Sequence, residues 1–282
     1  MAMREKTRLK LVAAIDYLEE NHPATVRQVY YSLVARQVVE NNQGQYDAII
    51  DILRDARLDG TIPWEWIEDR TRRPRPVQMF DDLPDFLAAV RRSYRRDVWA
   101  NQSTYVEVWL EKDALSGIFE DVLRPYGITL CVGRGFDGWT SLHDASERYR
   151  QAIDDGQDVV ILYFGDFDPS GDDMVRSWRD RQERLGLDPD MVPITKCALT
   201  RDDIARYQLP TDFAKKKDSR STKFIAKNGD VSVELDALSP DVIRERLTIE
   251  IERHMDLEAL DETRAQEQSD RDVLRRLIDE AA

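Results

Sequence analysis

Between residues 105 and 200, four short apolar runs, YVEVWL, ITLCVG, VVILYF and MVPITKCAL, alternate with amphipathic stretches of helical period. This alternation constrains the fold more than any other feature. Strands joined in series by helices belong to a parallel sheet, because parallel neighbours need a long crossover and a helix supplies it. Crossover helices are predicted over about 115–123, 141–153 and 172–185. Two further helices are expected over about 240–254 and 261–281, and the polar, basic TDFAKKKDSRSTKFIAKNG before them reads as a loop.

The first eighty residues have a different rhythm. One helical stretch carries Leu9, Val12, Ala13, Ile15 and Leu18 and stops near Asn21, ahead of Pro23. Thr25 is placed to cap a second, VRQVYYSLVARQVV, and a third, YDAIIDILRDARLDG, stops at Gly60. The following TIPWEWIEDRTR is β-rich, aromatic and basic, the character of a wing, with Trp64 and Trp66 as packing residues. The expected architecture is α/β: a winged-helix, DNA-binding domain over 1–80, a linker helix over 81–104, and a parallel α/β domain with C-terminal helices over 105–282. A length of 282 residues fits two modest cores.

No run of eighteen apolar residues is present, and MAMREKTRLK lacks the apolar stretch of a signal peptide, so a cytoplasmic protein without membrane association is expected. Cys131 and Cys197 sit in apolar runs and read as buried thiols. A net charge of −14 argues against a nucleic-acid partner only until its distribution is read. Residues 1–100 carry 16 Lys or Arg and 16 Asp or Glu, so the whole acidic excess is C-terminal. Binding follows local field, and two basic clusters are candidate DNA contacts: Arg70, Arg72, Arg73 and Arg75, then Lys215, Lys216, Lys217, Arg220 and Lys223.

In an open parallel sheet, ligands gather at the C-terminal ends of the strands. YVEVWL runs into Glu111, and VVILYF runs through Gly165 into Asp166 and Asp168. Any one such acid is an ordinary turn or cap residue. Three of them, if the strands are neighbours, converge on one volume where a hard cation such as Mg2+, or Mn2+ in its place, relieves their repulsion. Pro169 and Gly171 fit a tight turn after Asp168, and Ser170 with Asp173 forms a candidate capping pair.

WLEKDAL, VGRGFDG and YFGDFDPSG together resemble a Toprim domain over roughly 105–200, with Glu111, Gly135, Asp166 and Asp168 in the motif positions. The D-x-D-P-x-G form, the EK after the first strand, VELDAL at 233–238, and TVRQVYY at 25–31 are similar to the topoisomerase VI A subunit and its meiotic double-strand-break relatives. The resemblance implies that Asp166 and Asp168 bind Mg2+ and that Glu111 is a ligand or a general acid/base. It also implies that Tyr31 is the nucleophile, leaving a 5′-phosphotyrosyl end. A homodimer, in which the tyrosine of one protomer works with the metal site of the other, follows from it too, as does a separate ATPase subunit if strands are passed.

Helix geometry bears on the tyrosines independently. Taking about 100° per residue from Val26, Val29, Tyr30, Leu33 and Val34 form the buried stripe, and Tyr31 lies about 140° away on the polar flank, one turn from Arg27. Tyr31 is thus expected to reach solvent or DNA, with Arg27 neutralising a phosphate and favouring the phenolate. Two other readings stand beside the transesterase: a Toprim nuclease using metal-activated water, and a non-catalytic DNA-binding regulator.

Overall fold

The computed structural model describes residues 5–68, 77–133, 138–212 and 221–281. Four parallel strands, β1 (Thr104–Leu110), β2 (Thr129–Val132), β3 (Asp158–Phe164) and β4 (Ile194–Ala198), stand in the order β2-β1-β3-β4. Leu110 lies level with Val132 on one side and with Phe164 on the other, so β1 and β3 end together at the centre. The chain turns one way from β1 to β2 and the other way to β3, which makes the gap beyond β1 and β3 the topological switch point where such sheets bind ligands.

Side chains alternate across the sheet with the period of two that a pleated strand requires. Val106, Val108, Leu110, Leu162 and Phe164 face α5 (Ser116–Leu123) and α10 (Pro240–Glu252), and join one core. Trp109, Val159, Ile161 and Tyr163 face α6 (Trp139–Asp154) and α7 (Pro169–Arg184), where Leu142, Tyr149 and Trp178 close a second. This second core contains an acid, Glu107, with no exposed surface. It is neutralised and fully engaged: Arg148 donates twice, at 2.9 and 3.0 Å, Tyr149 at 2.7 Å and Trp109 at 2.9 Å. Cys131 joins that network and is only partly buried; Cys197, on the opposite edge strand, is buried in the core on the α10 face.

The N-terminal helices α1 (Glu5–Asn21), α2 (Val26–Ala35) and α3 (Gln43–Leu58) build a core of their own. As expected, Thr25 caps α2, through a reciprocal pair with Gln28, and α3 stops ahead of Gly60, which takes the left-handed conformation. Other expectations need correction. The buried face of α1 is Leu11, Ala14, Tyr17 and Leu18, while Leu9 and Val12 are exposed. Residues 64–66 form a single 3-10 turn, with Trp66 stacked on His22 and Arg57 over Trp64. Ile67 makes one isolated bridge to Ala24. These ring contacts hold the segment against the helices where a wing strand was expected; the rest of that segment, with Arg70, Arg72, Arg73 and Arg75, lies outside the described residues. So do Lys215, Lys216, Lys217 and Arg220.

The linker helix expected over 81–104 is the shorter α4 (Leu83–Ser93), capped by Asp82 and ended before Tyr94. After β4 come α8 (Arg201–Tyr207) and α9 (Ser221–Asn228). The latter lies inside the stretch read as a loop, and it forms because Phe224 is buried against Phe167. The chain continues into α10 and α11 (Leu257–Ala281). Among the described residues no helix is long and apolar enough to cross a membrane.

Tyr149→Phe removes a donor from the buried Glu107 carboxylate. We expect a loss of about 2 kcal/mol, read as a lower urea midpoint with an unchanged m-value.

Candidate functional site

Glu111 follows β1 directly, its backbone N–H held by Phe164 O at 3.0 Å. Its Oε2 accepts hydrogen bonds from the Tyr163 hydroxyl and from the Asp166 N–H, both at 2.9 Å. Such proximity requires glycine between them: a Cβ on Gly165 would stand 2.6 Å from Glu111 Oε2 and closer still to the Tyr163 hydroxyl. Gly171 is required for the same reason, since a Cβ there would strike the Asp166 carbonyl. Asp168, rather than Ser170, caps α7, its Oδ1 accepting from Gly171 N at 2.7 Å. Gly135 and Arg134 lie outside the described residues.

The structure therefore brings Glu111, Asp166 and Asp168 to one sheet edge, but each carboxylate is turned to a different backbone amide. Among the described residues no three acidic, His or Cys side chains are arranged around a common ion position. What occupies the middle is Lys112. Its Nζ lies 2.9 Å from Glu234 Oε2, 3.0 Å from Asp236 Oδ1 and 3.3 Å from Asp166 Oδ1. Lys196 adds a second ammonium, 2.7 Å from the Asp166 carbonyl.

Glu234 and Asp236 were not among the expected site residues, although both belong to VELDAL. They arrive here because residues 231–238 are stitched to the loop after β3. Val233 exchanges two backbone bonds with Phe167, at 2.9 and 3.0 Å, and Leu235 N donates to Asp166 Oδ1 at 2.8 Å. The 3-10 turn at Leu235–Ala237 then packs on α2. On that contact Arg27 reaches Glu234 at 3.9 Å and Asp236 at 3.8 Å, and the Tyr31 hydroxyl donates to Glu234 Oε2.

Tyr31 is consequently 9 % exposed and not on an open flank. The periodicity of α2 located the face packed on α1 and α3 correctly, with Tyr30 buried, but it carries no information about a second contact on the opposite flank. Burial pushes the Tyr31 phenol well above its ordinary value of 10.0; the bond to Glu234 and the charges of Glu234 and Asp236 push it further, and Arg27 only partly opposes them. The resting tyrosine is a protonated donor. Burial works against ionised Glu234 too, but Lys112, the Tyr31 hydroxyl and Arg27 outweigh it and hold that carboxyl below its ordinary value.

Tyr31, Arg27, Glu234, Asp166 and Asp168 line a single open cleft of about 270 Å3, and all of them come from one chain. Five carboxylates, Glu111, Asp166, Asp168, Glu234 and Asp236, face three cations, Lys112, Lys196 and Arg27. Two negative charges are left uncompensated when all are ionised. Asp236 is wholly buried and neither of its oxygens accepts a hydrogen bond. An all-oxygen donor set with two charges in surplus has the chemistry that a hard divalent cation requires.

Comparison of the chain with protein families, with curated proteins and with solved structures returned no match. The geometry of the cleft carries the functional argument.

Burial raises the Asp166 carboxyl from 3.8 to about 7; Lys112 opposes this and Glu111 adds to it. An acid raised in the folded state costs stability as pH climbs from its unfolded value through its folded one, here from about 4 to about 7. In EDTA, Asp166→Asn should therefore raise the melting temperature at pH 8, and the gain should shrink toward pH 5. An equal gain at both pH values would contradict the assignment.

Proposed function

We propose that this chain cleaves DNA by metal-dependent tyrosine transesterification, in the manner of the topoisomerase VI A subunit that its motifs resemble. One observation carries the reading: the Tyr31 hydroxyl donates to the Glu234 carboxylate in the same cleft that Asp166 and Asp168 line. A phenol that must attack phosphorus near neutral pH needs its proton taken as the bond forms, and a carboxylate already hydrogen-bonded to it is a general base in position.

In this reading Tyr31 Oη attacks a backbone phosphate as its proton passes to Glu234. The bond from phosphorus to the 3′ oxygen breaks and that oxygen takes a proton from water, to which Glu234 returns the one it accepted, so that the 5′ phosphate stays on the tyrosine. Arg27, beside the tyrosine, is placed to face the phosphate. Lys112 is braced by Asp166, Glu234 and Asp236, and keeps the Glu234 carboxylate ionised. Glu111, Asp166 and Asp168 would hold Mg2+ or Mn2+, which when bound supplies charge to the phosphate and the departing oxygen. Passage of a second strand would need a separate ATPase subunit.

A hydrolase that uses water in place of Tyr31 is the second reading, and the burial of Tyr31 is the observation in its favour. Incubating the protein with labelled plasmid and Mg2+ or Mn2+, then denaturing it, separates the two. The transesterase yields protein-linked DNA, lost in Tyr31→Phe and in the Asp166→Ala, Asp168→Ala double variant. Nicking undiminished by Tyr31→Phe supports the hydrolase. Absence of both from the wild type leaves only a DNA-binding protein.

Because nucleophile and acids share a cleft within one chain, mixing Tyr31→Phe with the double alanine variant should restore no adduct. An active site shared between protomers would restore it.

A further inference from the structure

The helix α4 has no job in the cleft, yet it is built for a contact. Its exposed stripe is Leu83, Phe86 and Val90, at helical spacings of three and four residues, and Leu83 is 63 % exposed. Phe80 stacks edge-on against Phe86 and extends the stripe, with Met79 exposed beyond it. No side chain of α4 is fully buried. The helix packs on α11 within the chain, and just past its end Tyr94 and Arg96 donate to Asp270 at 2.7 and 2.6 Å while the Tyr94 carbonyl accepts from Arg271 at 2.8 Å. An eleven-residue helix is below the length that holds itself together in water, and a contiguous apolar face of this kind marks an interaction site.

Charge identifies the occupant. The N-terminal end of α4 carries Asp81, Asp82 and Asp85. The C-terminal end carries Arg91 and Arg92, which share a pocket with Arg271, Arg275 and one acid, Asp272, and is basic on balance. A partner of one sign, whether a nucleic acid, an anionic bilayer or an acidic helix, meets like charge at one end of the stripe. A second copy of α4 laid antiparallel meets opposite charge at both ends, and the apolar residues then face each other in the middle. This self-complementarity is what a two-fold contact requires, since each surface is its own partner.

We propose that α4 is a homodimer contact, pairing antiparallel with α4 of a second copy of this chain about a two-fold axis near the middle of the helix. The pairing covers Leu83, Phe86 and Val90 and sets the aspartate end of each helix against the arginine end of the other. It is independent of the chemistry assigned to the cleft.

Light scattering of the full chain at micromolar concentration should give the mass of a dimer. Phe86→Asp should weaken association at least about tenfold while circular dichroism and melting stay as in the wild type. Two charge-reversed chains extend the test without touching the apolar stripe. One carries Asp81→Lys and Asp85→Lys, which leave the Asp82 cap in place, and the other Arg91→Glu and Arg92→Glu. Each should associate poorly with itself, because pairing then sets like charges against each other at both ends, and a mixture of the two, one basic and one acidic at both ends, should form a dimer. A monomeric wild type, a dimer unaffected by Phe86→Asp, or a mixture that stays monomeric each overturns the proposal.

Discussion

A single ammonium group, that of Lys112, sits where three parts of the chain meet. It belongs to the loop after β1, touches Asp166 after β3, and reaches Glu234 and Asp236 on the segment that packs against α2. Without a cation there, acids from different segments would face one another across a water-poor gap, and their repulsion would push the N-terminal helices away from the sheet. The position of Tyr31 is thus a consequence of electrostatics two residues removed from it: Lys112 holds Glu234, and Glu234 holds the phenol. Arg27 plays the same part from the side of α2, at longer distances.

Much of the α/β half was legible in sequence. Four apolar runs became four parallel strands, and acids following two of them came to lie at the switch point, because strand direction and crossover handedness leave few alternatives. The helix start at Thr25 and the stop at Gly60 rest on local chemistry and are readable one residue at a time. What could not be read is what depends on contact between distant segments. Glu234 and Tyr31 are 203 positions apart. Helical periodicity treats α2 as having one buried face, and the structure gives it two. The same limit explains α9, whose composition is that of a loop and whose Phe224 finds a pocket against Phe167. One signal for the missed acids was present: VELDAL interleaves acids with apolar residues, and as Val233, Leu235 and Leu238 enter the core they carry Glu234 and Asp236 with them to the cleft.

The two buried acid clusters of the α/β half make a useful contrast. Glu107 is surrounded by donors and by a partnered guanidinium, which is how a protein fixes a charge that serves architecture. The cleft leaves its acids in surplus, with Asp166 raised toward neutrality and Asp236 without a hydrogen-bond donor. Burial alone does not tell these two clusters apart; the balance of acids against cations does.

The stitching of residues 231–238 to the loop after β3 has a mechanical meaning. That segment is held on the sheet side by paired backbone bonds and on the α2 side by Tyr31 and Arg27, so it acts as a latch between the helical module and the sheet. Widening the cleft means lifting α2 from this latch, which separates the phenol from Glu234. The exposure of Tyr31 and the width of the cleft are therefore a single mechanical variable, since neither can change without the other.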